Sequence, residues 1–109
     1  MTPDAQARNE IILVEVERLG GSFVWEAETF AVTLMDVAVS EQDATVLLEL
    51  SGIELIAINV AHISAPMLMS IARIVGLKSL VVTGRCVDDN ELRELESLGP
   101  VVQVVENEA

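Results

Sequence analysis

Apolar residues in this chain recur in columns every 24 residues, and that period constrains the fold more than any other feature. Segments 29–52, 53–76 and 77–100 align beneath one another on six such columns. They read Val32, Ile56, Leu80 and Val104; Leu34, Ile58 and Val82; Val39, Ile63 and Val87; Ala44, Leu68 and Leu92; Leu47, Ile71 and Leu95; Leu50, Ile74 and Leu98. A polar column, Ser40, Ser64 and Asp88, follows one residue after the third. A unit this short cannot enclose a core by itself. It buries its apolar side by stacking on the next copy, so a fixed period of this length predicts a solenoid.

Each repeat has the same internal grammar. Two apolar residues at alternate positions, such as Ile56 and Ile58, mark a short strand with one face inward. Three aliphatics spaced by three, such as Leu68, Ile71 and Ile74, mark a helix of about three turns. Ser40, Ser64 and Asp88 stand where a helix wants an N-cap, and Pro66 falls in a first helical turn. Gly52, Gly76 and Gly99 stand where a helix stops. The pattern predicts an α/β, right-handed solenoid with parallel strands near 31–35, 54–58, 79–83 and 102–105. Helices are expected at about 41–50, 65–74 and 89–98.

The ends are less regular. Residues 1–9 read as a disordered polar tail and 10–28 as an N-terminal cap. Within the cap, Ile12, Val16 and Leu19 lie at helical spacing, although β-branched content makes a strand at 11–16 a competing reading. Trp25 is expected to anchor the cap's packing. Repeats then occupy 29–105, the last of them partial (101–105), and 106–109 form an acidic tail.

The 109 residues suffice for one domain with a modest core, 51% of them hydrophobic. Aromatics are confined to Phe23, Trp25 and Phe30, so the interior must be aliphatic. Eighteen acidic residues against six basic ones leave a formal charge of −12, which opposes binding to nucleic acid or to an anionic membrane. No stretch approaches the roughly 20 apolar residues that span a bilayer. The polar N-terminus lacks the marks of a secretory signal. Cys86 is the only cysteine, which suits a reducing cytoplasm.

Signals of chemistry are weak. The single His62 has no triad partners at an interpretable spacing, so no catalytic residues are expected. His62 and Cys86 occupy one repeat column, yet two ligands do not make a metal site. Asp88, Asp89, Glu91, Glu94 and Glu96 fit no calcium loop and read as a solvated helix face with acids at its N-terminus. Gly20 and Gly21 read as a turn, because no phosphate-loop lysine follows. Neither metal nor cofactor is expected. Met67 and Met69 flank inward Leu68 and are expected to point outwards.

Segment 77–98, LKSLVVTGRCVDDNELRELESL, resembles the LxxLxLxxxxIxDxxLxxLxxL pattern of leucine-rich repeat proteins at nearly every fixed position. The resemblance extends over about 23–106, and the lead-in VERLGG followed by a β-rich stretch is similar to the start of short bacterial members. The asparagine that ladders loop backbone groups in many of them is replaced here by Val37, Ala61 and Arg85. The resemblance implies a parallel sheet on the concave side, helices on the convex side, and non-enzymatic protein–protein binding through the sheet. By register that surface comprises Ala31, Thr33 and Met35; Leu55, Ala57 and Asn59; Ser79, Val81 and Thr83; and Gln103 and Val105. It carries no charge, as the centre of an interface tends to. The partner is a protein whose identity the sequence does not name.

A second family competes. The stretch TVLLELSGIELI and the later GLKSLVVTG and ELRELESLG are also similar to anti-sigma-factor antagonist domains, which alternate strand and helix. That resemblance implies a regulatory switch with Ser64 as phosphoacceptor, and it makes 45–50 a strand. The expected Asp-Ser pair is absent at 57–59. A weak homodimer is expected through the terminal strand or through Met67 and Met69.

Overall fold

Alternating aliphatic residues in successive repeats place strands side by side, one repeat apart. The computed structural model describes residues 3–26, 29–50, 52–85 and 87–105, with the side chains of Pro3, Ala5, Trp25, Glu26 and Thr29 outside the description. Five strands, β1 (Ser22–Glu26), β2 (Thr29–Leu34), β3 (Leu55–Asn59), β4 (Ser79–Thr83) and β5 (Val101–Val104), form one open sheet in chain order. The β1–β2 hairpin is antiparallel and every later pairing is parallel. Val32, Ile56 and Leu80 are register partners, as are Leu34, Ile58 and Val82, so two sequence columns are physical rows.

The described helices are α1 (Pro3–Arg18), α2 (Glu41–Ala44), α3 (Ala65–Ala72) and α4 (Asp89–Ser97); α2 runs on into a 3-10 helix, Thr45–Glu49. They pack in chain order: α1 on the 3-10 helix, that on α3, α3 on α4. Ala44, Leu47, Leu68, Ile71 and Leu95 from these elements join the inward strand residues in one buried cluster. The polar column supplies the caps. Ser40 Oγ accepts from Asp43 N–H at 3.1 Å, Ser64 Oγ from Met67 N–H at 3.4 Å, and Asp88 Oδ1 from Glu91 N–H at 2.8 Å.

The structure departs from the sequence reading at several places. The first helix begins at Pro3 and not at Glu10, so the polar stretch before Glu10 is helical where it is described. Its start has helix-initiating chemistry, proline followed by Asp4 in the first turn, and Asn9 is fully buried. Segment 45–49, a strand in the antagonist-domain reading, is a 3-10 helix. Met67 and Met69 are partly buried against the core and not directed outwards.

The last strand is displaced from the 24-residue period. Leu80 pairs with Val102 and Val82 with Val104, so Val104 belongs to the second column and not the first. The cause is local: six residues, 73–78, join α3 to β4 and only three, 98–100, join α4 to β5, while α4 is one residue longer than α3, which leaves a net displacement of two. A shift of two preserves which face each side chain takes. The anchoring role expected of Trp25, the tail at 106–109 and Cys86 fall outside what is described.

Candidate functional site

The sheet face opposite the helices is built by the residues that strand alternation turns away from the core. One row across it is Val24, Ala31, Leu55, Ser79 and Val101. The next is Ser22, Thr33, Ala57, Val81 and Gln103. Asn59 and Thr83 pair in a third, and Met35 and Val105 follow the ends of β2 and β5. The structure thus groups the expected surface, and none of its residues joins the core cluster.

Burial varies across this face. Thr33, Gln103 and Val105 are exposed, and Ala31, Met35, Leu55, Ser79 and Val81 are half-buried. Ala57 and Thr83 are each only 6% exposed, shielded at the centre of the sheet by their neighbours. Val24 and Val101 stand at the two ends of the first row at 51% and 69% exposure. Ser22, Val24 and Val101 were absent from the expected set. The alternation in SFVWE could have placed Ser22 and Val24 opposite Phe23, and the two-residue displacement of β5 brings Val101 into the row.

Asn59 has an internal task. Its Nδ2 donates to the Met35 carbonyl on the preceding turn at 3.5 Å, and its Oδ1 accepts from Ala61 N–H at 3.0 Å. Asn59 therefore bridges two successive 24-residue repeats, two positions before Ala61, where the leucine-rich pattern would have its asparagine. Gly84 makes room for it. A Cβ there would lie 2.1 Å from Asn59 Oδ1, and the backbone has φ +95°, a left-handed conformation glycine adopts without strain.

Two charged side chains tie adjacent turns beside this face. Arg85 Nε donates to the Ile63 carbonyl at 3.2 Å, while its terminal nitrogens grip Glu91 at 3.0 and 2.8 Å. The fork geometry suits a carboxylate, and hydrogen bonding to Glu91 raises the Arg85 pKa above its ordinary value. Glu41 Oε1 accepts from the Ser64 backbone N–H at 2.7 Å and from the Ser64 hydroxyl. The hydroxyl, then the N–H, holds the Glu41 carboxyl below its ordinary pKa.

Of the remaining sequence candidates, Cys86 lies outside the described residues. His62 is exposed in the turn after β3. Among the described residues, no three or more His, Cys, Asp or Glu side chains gather as a metal would require. A shallow hollow of about 440 Å³ on the helical side is lined by Arg8, Leu48, Glu49, Leu50, Gly52, Ile74 and Val75. No described helix is long and apolar enough to cross a membrane. No protein-family model matches the chain, and neither a curated protein nor a solved structure matches it.

Proposed function

We propose that this chain is a non-enzymatic, leucine-rich-repeat-type scaffold, a short right-handed solenoid that binds a partner protein through the concave side of its sheet in the cytoplasm. One observation carries this reading: the open-face residues of β2 to β5 bear no charge on a chain of net −12. Charged residues are depleted at interface centres, where each would have to shed water on binding. The near-buried Ala57 gives the surface a low apolar floor, and Thr33, Val81 and Gln103 flank it along one row. Rigidity supports the same reading. Each strand is hydrogen-bonded to its neighbours, and side chains of Asn59, Arg85 and Glu41 lock successive turns, so little order remains to be gained on binding.

The test is capture of partners from native lysate by wild type and by a Thr33→Arg, Val81→Arg variant. Both positions lie on the open face and outside the core, so the variant is expected to retain the wild-type circular dichroism spectrum. Loss of a specific partner from this folded variant is the expected result. An unchanged set of partners would move the binding site off the sheet.

A further inference from the structure

The sheet ends differently at its two edges. At one, α1 packs against β1; at the other, no described element lies beyond β5. The Val101 and Val105 amides donate to Lys78 and Val82 carbonyls on β4 at 2.9 and 2.8 Å. Donors alternate along a strand, so the N–H and C=O of Val102 and Val104 point away from β4, to the free edge. Natural edges are usually blunted by lysine, proline, a bulge or an inward charge. Within Val101–Val104 the sequence is VVQV, with none of those devices.

Beside that edge the core is incompletely covered. Val87, Leu92, Val102 and Val104 are only partly buried, while their equivalents one repeat earlier, Ile63, Leu68, Leu80 and Val82, are at most 3% exposed. The charges around it are mostly acidic. Asp89, Leu92, Arg93 and Glu96 share a stripe of α4 by helical spacing, two acids and one base, on the opposite flank from Glu91, which reaches back to Arg85.

We propose that the β5 edge binds an extended, cationic segment of another protein, which adds a sixth strand to the sheet. Its backbone pairs with Val102 and Val104, alternate apolar side chains cover Val87 and Leu92, and its basic side chains meet Asp89 and Glu96. Charge selects this occupant over a second copy, which would bring the same acids to the contact and another −12 to the complex. Strand addition of this kind draws affinity from main-chain hydrogen bonds and specificity from alternate side chains. The surface is separate from the open face and stands independently of the function proposed for it.

The probe is a capped heptapeptide of alternating lysine and valine, compared with the same peptide N-methylated at alternate amides on its pairing side. Both carry equal charge, but only the first can pair. Titrated into the full chain at physiological salt, the plain peptide is expected to slow hydrogen exchange at the Val102 and Val104 amides. The methylated one should bind about tenfold or more weakly, having lost its backbone bonds. Val104→Pro removes an outward N–H that β4 does not use; it should abolish binding, and the two peptides decide the matter even if this variant fails to fold. Equal binding of both peptides would reduce the effect to charge and overturn the proposal. So would protection at residues away from β5, or protection of Val102 and Val104 that grows with protein concentration in the absence of peptide, which would assign the edge to a second copy.

Discussion

Strand alternation makes neighbouring residues unequal, and Leu80 and Val81 show by how much. Leu80 is fully buried between register partners Ile56 and Val102, whereas Val81 is half-buried on the open face. Leu80→Ala leaves a cavity inside the buried cluster and should cost about 2–5 kcal/mol. Val81→Ala removes less apolar area from a site already near water, and should cost under about 1 kcal/mol. Urea unfolding of the two variants measures both; equal losses would mean that the strand faces are exchanged. Gly84 gives the second residue-scale test. Gly84→Ala combines a left-handed backbone with a Cβ driven into Asn59 Oδ1, for a cost of about 2 kcal/mol or more. Because Asn59 is one of the two clashing partners, Asn59→Ala combined with Gly84→Ala should cost less than the two losses added together. Strict additivity in that double-mutant cycle would remove Asn59 from the explanation.

Between elements, the side chain of Glu41 spans the gap from α2 to the cap of α3. Its folded-state pKa lies below the ordinary 4.5, so the tie contributes fully above that value and is lost as pH falls through the depressed one. Glu41→Gln has no such titration. The wild-type advantage over Glu41→Gln in unfolding free energy is expected to be positive at neutral pH, to shrink as pH falls below 4.5, and to be lost below the depressed folded-state value. A difference that stays constant across that range would attribute the effect to shape and not to charge. Much of this element-level order was legible in the sequence, for a physical reason. Ile56 and Ile58 on β3, Leu80 and Val82 on β4, and the caps Ser64 and Asp88 recur because each repeat solves one packing problem with one set of contacts. What escaped lies where the problem changes. At the N-terminus the helix had to be read from propensity alone, and buried Asn9 looks polar on paper. At β5 a shortened loop moved the register by two, which periodicity could only extrapolate through. Asn59 and Arg85 were hidden because long polar side chains reach from a neighbouring position to do a ladder's work, and a column records position without reach.

On the scale of the whole molecule, the chain carries eighteen acids against six bases, and the fold measures 39 × 28 × 22 Å. At about 0.01 M salt the Debye length is about 30 Å, so nearly every charge acts on every other. At about 0.15 M it falls to about 8 Å and only near neighbours interact. Two effects of added salt then oppose one another. Screening relieves the repulsion of the acidic excess, which the compact state suffers more than the unfolded chain. It also weakens ion pairs, but Arg18–Glu15 and Lys78–Glu54 are largely exposed, and such pairs are worth about 0–1 kcal/mol each. Arg85–Glu91 is better shielded, at 25% and 13% side-chain exposure, and its bidentate bonds are short-ranged, so salt costs it less. Relief of repulsion should therefore win. The thermal midpoint is expected to rise by several degrees between low and physiological salt, since about 1 kcal/mol moves a domain near this size by about 4–8 °C. Chloride and a second anion should act alike at equal ionic strength, because screening depends on charge and concentration and not on ion identity. A midpoint that falls with salt would give the exposed ion pairs a larger share of the stability than their geometry allows, and a response to one anion alone would point to specific binding in place of screening.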